Sequence, residues 1–163
     1  MKPLKIIDRE LLNRVSEKAK ASPRLRMNHN FHDVYSDPIN RMLNALEPGT
    51  YCQPHKHEYP DKREVFLVLR GQFAVFFFDE KGAVTQIVKL CQTDEVYGVD
   101  IPPRVWHTLV CLEPGSVAYE VKDGPYVKPD DKDFAPWAPT EGSPDTPKYL
   151  ETLLNQISKY HPL

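Results

Sequence analysis

Apolar residues change their spacing along the chain, and each change predicts a different kind of element. Leu11, Leu12, Val15 and Ala19 recur at helical intervals behind Asp8, a natural N-cap, and stop at Ser22-Pro23. This predicts a short amphipathic helix outside the main body. The stretch that follows, PRLRMNHNFHDVYSDP, is polar, aromatic and irregular, and reads as a loop or extended arm. Asp37-Pro38 looks like a cap followed by proline at the first helical position. Met42 to Leu46, however, runs straight into the Pro48-Gly49 turn, which favours a strand from about Arg41.

From Glu47 to Val121 the runs are short and strand-like: Thr50 to Gln53, Val65 to Leu69, Phe73 to Phe78, Val84 to Leu90, Val105 to Leu112 and Val117 to Val121. Pro-Gly, Arg-Gly, Lys-Gly and Pro-Pro pairs separate them. Short strands at this spacing predict a sandwich or barrel. The run from Phe73 to Phe78 reads as core on one face and as sheet or dimer packing on the other. After Gly124-Pro125-Tyr126 the chain turns proline-rich and is expected to wrap the surface without regular structure, pinned by Phe134 and Trp137. Thr146 and Pro147 open a last helix, whose stripe of Tyr149, Leu150, Leu153, Leu154 and Ile157 should dock on the barrel or on a second subunit. Three segments result: an N-terminal helix and arm (1–40), a β-barrel (41–127), and a wrap with its helix (128–163).

Composition narrows the partners. A formal charge of −2 and an isoelectric point near 6.3 make no electrostatic case for nucleic acid or an anionic membrane, so a small-molecule substrate fits better. Cys52, Cys91 and Cys111 are odd in number, show no CxxC pair and lie in apolar or strand-like runs. They read as free thiols in a reducing compartment. The N-terminal run MKPLKIIDRELLNRV is broken by charge too soon for a signal peptide, and no apolar run approaches membrane-spanning length. A cytoplasmic location is expected.

The candidate chemistry centres on Gly49 to Gly71, GTYCQPHKHEYPDKREVFLVLRG. His55 and His57 are two apart, so on an extended strand both imidazoles point to one face. Glu64 opens the next apolar run and returns to the same place if the polar segment between is a hairpin. Two neutral imidazoles and a carboxylate suit a divalent transition metal.

This stretch resembles the first signature motif of the cupin superfamily. IPPRVWHTLVC resembles the second, with Pro102 five positions before His107. The resemblance implies a mainly β, double-stranded β-helix (jelly-roll) barrel with short helices at both ends. It also implies a metal site of His55, His57, Glu64 and His107, and a homodimer. The metal would be one divalent transition ion, iron, manganese, nickel or zinc, which the ligands alone do not choose between. Three departures stand out. Six residues, Glu58 to Arg63, separate His57 from Glu64, so Glu58 or Asp61 could compete as ligand. Arg104 replaces the usual glycine of the second motif. Cys111 stands where asparagine is expected, and period two places it with Leu109 on the side of His107, which would put a thiol in the pocket.

A further resemblance covers nearly the whole chain. ASPRLRMNHNFH, ALEPGTYCQPHKH, IPPRVWHTLVCLEPG, YEVKDGPY and DKDFAPWAP look like the WbuC-type cupin-fold metalloproteins, whose genes often lie in O-antigen or other surface-polysaccharide clusters.

Around the centre, Arg24, Arg26, Asn28 and Asn30 read either as an arm over the barrel mouth that binds substrate through a guanidinium fork and amides, or as a solvated arm. Glu120 is a candidate general base or an exposed salt-bridge partner, with Tyr126 beside it. Cys111 joins the substrate-binding candidates. His29 and His32 read as surface or structural, and His161 as part of a frayed terminus. Two function classes remain open. One is a metal-dependent enzyme, an isomerase or epimerase on a sugar or nucleotide-sugar derivative, or an iron dioxygenase. The other is a sensor or carbohydrate-binding module.

Overall fold

The computed structural model describes residues 4–127 and 132–158. In chain order these form α1 (Arg9–Ala21), β1 (Arg26–Asn30), β2 (Ile39–Leu46), β3 (His55–Lys56), β4 (Glu64–Arg70), β5 (Gln72–Phe78), β6 (Val84–Cys91), β7 (Gly98–Ile101), β8 (Trp106–Cys111), β9 (Ser116–Asp123), β10 (Asp133–Phe134) and α2 (Thr146–Ile157). The strands build two five-stranded antiparallel sheets, ordered β1-β2-β9-β4-β7 and β10-β3-β8-β5-β6. Residues 128–131 of the expected wrap, and His161, lie outside the described residues.

Strand alternation sorts the side chains into three cores. Leu46, Phe66, Val68 and Ala118 of the first sheet meet Phe73, Val75, Leu90, Leu109 and Cys111 of the second, filling one end of the barrel. The opposite faces are covered by helices. Leu43 and Ala45 of β2, with Val117, pack beneath Leu11, Val15 and Ala19 of α1. Ala74, Phe76 and Phe78 of β5, with Trp106 and Val110, pack beneath Leu150 and Leu153 of α2. The second face of the phenylalanine run therefore meets the chain's own C-terminal helix. Asp8 caps α1 through its side chain, which accepts from the Leu11 amide at 2.8 Å.

Four elements differ from the sequence reading. The wrap, expected to be irregular, pairs Asp133 and Phe134 as β10 against Lys56 and His55 of β3. Residues 26–30 form the edge strand β1, in register with β2 from Arg26↔Leu46 to Asn30↔Met42. Thr50 to Gln53 is not a strand. Its carbonyls are taken by side chains, Tyr51 O by Arg26 Nη1 at 2.5 Å and Cys52 O by Thr108 Oγ1 at 2.5 Å, and ladder pairing begins only at His55. Gly98–Ile101 forms β7 against β4. It is only four residues long, and Gly98 serves close approach, since a Cβ there would lie 2.3 Å from Phe66 O.

Candidate metal centre and cavity

His55 on β3 pairs directly with His107 on β8. His57 follows β3 by one residue, and Glu64 is the first residue of β4. One ligand atom from each of these four buried side chains lies within 4.8 Å of all the others. Glu64 Oε2 stands 3.0 Å from His107 Nε2 and 3.4 Å from His57 Nε2.

Hydrogen bonds behind the rings set their orientation. His55 Nδ1 lies 3.0 Å from Gln53 O, and His107 Nδ1 lies 2.9 Å from Val105 O. A carbonyl only accepts, so each Nδ1 carries the proton and each Nε2 turns its lone pair into the cluster. The buried His55 Nε2 finds no hydrogen-bond partner among the described residues. At His107 the Nε2 lone pair faces a carboxylate oxygen, a meeting relieved by a second proton or by a cation between them. Burial, then the Lys132 and His107 charges, holds the His55 pKa well below the ordinary imidazole value. Burial alone would raise Glu64, but its contacts with the His107 and His57 rings outweigh it and hold this carboxyl well below its usual range. The donor set, three neutral imidazoles and one carboxylate with lone pairs converging, fits a divalent transition metal.

The competing carboxylates are engaged elsewhere. Glu58 pairs with Lys56 Nζ at 2.6 Å, and Asp61 accepts two bonds from Arg104, at 2.8 and 3.0 Å. Arg104 adopts φ +67, the conformation for which glycine is favoured. Its backbone amide donates to His57 O at 3.0 Å. The arginine in the glycine position and the long 58–63 loop thus hold one another beside His57.

A cavity of about 500 Å³ opens beside the centre, lined in part by His55, Glu64 and His107. Strand register orders its floor. Asn40, Lys122 and Glu64 lie on one rung across β2, β9 and β4, and Met42, Glu120 and Phe66 lie on the next. Glu120 is buried and accepts from Asn44 Nδ2, and Lys122 Nζ lies 3.9 Å from its other oxygen. Burial, and then the charge of Glu64, pushes the Glu120 carboxyl up to about 8 against the pull of Lys122. An exposed salt-bridge partner it is not.

Arg24, Arg26, Asn28 and Asn30 line the cavity. The guanidinium fork, however, is held by a protein carboxylate. Arg24 grips both oxygens of Glu141 at 2.6 and 2.9 Å, and Arg26 Nη2 joins at 2.8 Å. Asn28 Nδ2 contacts Met42 Sδ at 3.3 Å. Cys111 does face inward with Leu109, but the structure does not bring it to the cavity. Its thiol sits in the apolar core, 3.1 Å from both Leu46 O and Glu113 O, and burial pushes it up to about 11. Cys52 lines the cavity instead. His32 is buried on the wall, with Nδ1 accepting the Arg41 amide at 3.1 Å, whereas His29 stacks edge-on against Phe31. Phe134 lies at the cavity next to His55, and Trp137 packs on Phe78 and Trp106, so the two predicted pins serve different places. The sequence reading missed Asn40, Asn44 and Lys122. The inward parity of β2 and β9 was the available signal.

No curated protein sequence matches the chain. Among solved structures, the oxalate decarboxylase of Bacillus subtilis aligns with a TM-score of 0.51 and 20% identity over 67% of this chain, which spans only 27% of that protein's length. A cupin 2 domain-containing protein from Halorhodospira halophila aligns with a TM-score of 0.50 and 16% identity, over 85% of this chain and 84% of that one. The L-ribose isomerase of Geodermatophilus obscurus gives 0.51 and 16%, over 69% and 70%. At these identities the likeness is one of fold, and the fold is the cupin barrel. Residues 7–90, just over half of the chain, match the family described as a domain of unknown function (DUF6016), and the chain belongs to that family.

Proposed function

We propose that this protein is a metal-dependent isomerase or epimerase acting on a small polyhydroxylated substrate, a sugar or nucleotide-sugar derivative. The observation that carries this reading is the placement of Glu120, a buried carboxyl on the cavity wall one strand from the metal ligand Glu64 and held by Asn44. A metal held by His55, His57, Glu64 and His107 supplies Lewis-acid polarisation of a substrate carbonyl or hydroxyl oxygen. Glu120 takes the proton from the carbon next to that carbonyl. It returns the proton to the neighbouring carbon while the hydroxyl proton passes to the former carbonyl oxygen, giving the isomer, or, once the deprotonated substrate has turned over in the cavity, to the opposite face of the same carbon, giving the epimer. Asn44 keeps the carboxyl aimed at the cavity. A sugar-isomerase neighbour of the same fold and the resemblance to WbuC-type proteins are consistent with this chemistry, and the latter extends it to surface-polysaccharide synthesis.

The test is proton NMR in D2O of metal-loaded protein with a panel of aldoses, ketoses and uronates. Deuterium entering at the carbon beside the carbonyl, with the isomer appearing, is the expected result. Saturable binding without exchange would make the barrel a binding module, and oxygen uptake under iron loading would make it a dioxygenase.

A further inference from the structure

Asn40 is the polar side chain on the cavity floor for which the fold itself provides no use. It is 1% exposed, lines the cavity, and neither its Oδ1 nor its Nδ2 finds a hydrogen-bond partner among the described residues. Burying an amide without partners is costly. Gly124 packs close to it: a Cβ there would come within 2.0 Å of Asp37 O and 2.9 Å of Asn40 Nδ2.

Its place relative to the metal centre follows from register. Asn40 pairs with Lys122, and Lys122 with Glu64, so Asn40 and the metal ligand stand two strand spacings apart, about 10 Å between their Cα atoms. Tyr35 and Tyr126, with ring centroids 5.2 Å apart, line the same cavity. The backbone runs that carry them flank β2, since Gly124 N donates to Pro38 O and Tyr126 N to Tyr35 O. A carboxamide offers one acceptor and two donors side by side. Its natural complement is a pair of neighbouring hydroxyls, one donating to Oδ1 and the other accepting from Nδ2, with the C–H face of the same chain laid against an aromatic ring.

We infer that Asn40 is the specificity residue for the substrate's polyol end: it binds a vicinal diol whose other end reaches the metal centre. This rests on the sugar reading proposed above and sharpens it. The protein discriminates ligands by the hydroxyls remote from the metal as well as by the group that chelates it.

The test compares ligands that share the chelating α-hydroxycarboxylate but differ in the tail: glycolate, which has none, against D-gluconate, D-galactonate and D-mannonate. Affinities are measured by calorimetry on manganese-loaded protein. In the wild type at least one aldonate binds about tenfold or more tighter than glycolate, the worth of two neutral hydrogen bonds. Asn40→Leu abolishes the difference, leaves glycolate binding and metal content unchanged, and does not lower the melting temperature, because no internal hydrogen bond is lost. Asn40→Asp, which keeps the shape and the acceptor alone, retains part of the preference. Equal affinity for glycolate and every aldonate in the wild type overturns the inference. So does an aldonate preference that survives both substitutions. If the wild type takes up no metal, the metal reading falls, and the same comparison on metal-free protein still decides the role of Asn40.

Discussion

His55 and His107 face each other as cross-strand partners of β3 and β8, their ring centroids 4.5 Å apart and their planes inclined by 54°. Each is turned by a backbone carbonyl behind it, at Gln53 and Val105. In zinc-loaded protein both rings should therefore carry the proton on Nδ1 and bind through Nε2. Long-range proton–nitrogen correlation spectra of the imidazoles read this directly. Protonated Nε2 atoms would place the metal elsewhere.

Glu120→Gln tests the proton-transfer role. The amide is isosteric and stays within reach of Asn44 and Lys122, but it cannot accept the proton. Turnover of the substrate found by exchange should fall by about 10²-fold or more, with metal content unchanged and KM little altered. An unchanged kcat would remove Glu120 from the mechanism.

The buried His55, His57, Glu64, His107 cluster was legible in the sequence because spacing on a strand is local: His55 and His57 share a side by period two, and motif likeness supplied Glu64 and His107. The arm was harder. Arg24 and Arg26 look like an anion fork, yet the carboxylate they hold is Glu141, far along the chain, and nothing local announces such a pair. Asn40 was missed for a related reason: parity on β2 groups it with Met42 and Asn44 but does not say which way that side faces. Whether its side of β2 faces the cavity or α1 is decided by which strands close the sheet. Cys111 was placed on the correct side, but depth along the barrel, which period two does not encode, puts it in the core.

The Arg24–Glu141–Arg26 clasp should make β1 sensitive to acid. Burial alone would raise Glu141, but the Arg24 hydrogen bond and the Arg26 charge hold it below its ordinary 4.5. A depressed folded pKa contributes stability above the unfolded value, lost as pH falls below 4.5 and through the folded pKa. Amide protection of Arg26 to Asn30 should therefore drop through that acid window, and Glu141→Gln should lack the step. Identical profiles for the two proteins would show that the clasp does not hold the arm.

The docking of α2 predicts a local stability cost. Leu153 is 2% exposed beneath the outer face of β5 and β8, so Leu153→Ala should destabilise by about 2–5 kcal/mol in urea unfolding. A loss under about 0.5 kcal/mol, the range of surface substitutions, would mean that the helix does not pack there in solution.

The metal centre is tested most directly by elemental analysis of the purified protein alongside the double variant His55→Ala, His107→Ala. The wild type should carry one divalent transition metal ion per chain, and the variant, folded by circular dichroism, should carry none. No metal in the wild type after native purification and reconstitution, or the same content in the variant, would contradict the assignment of His55, His57, Glu64 and His107.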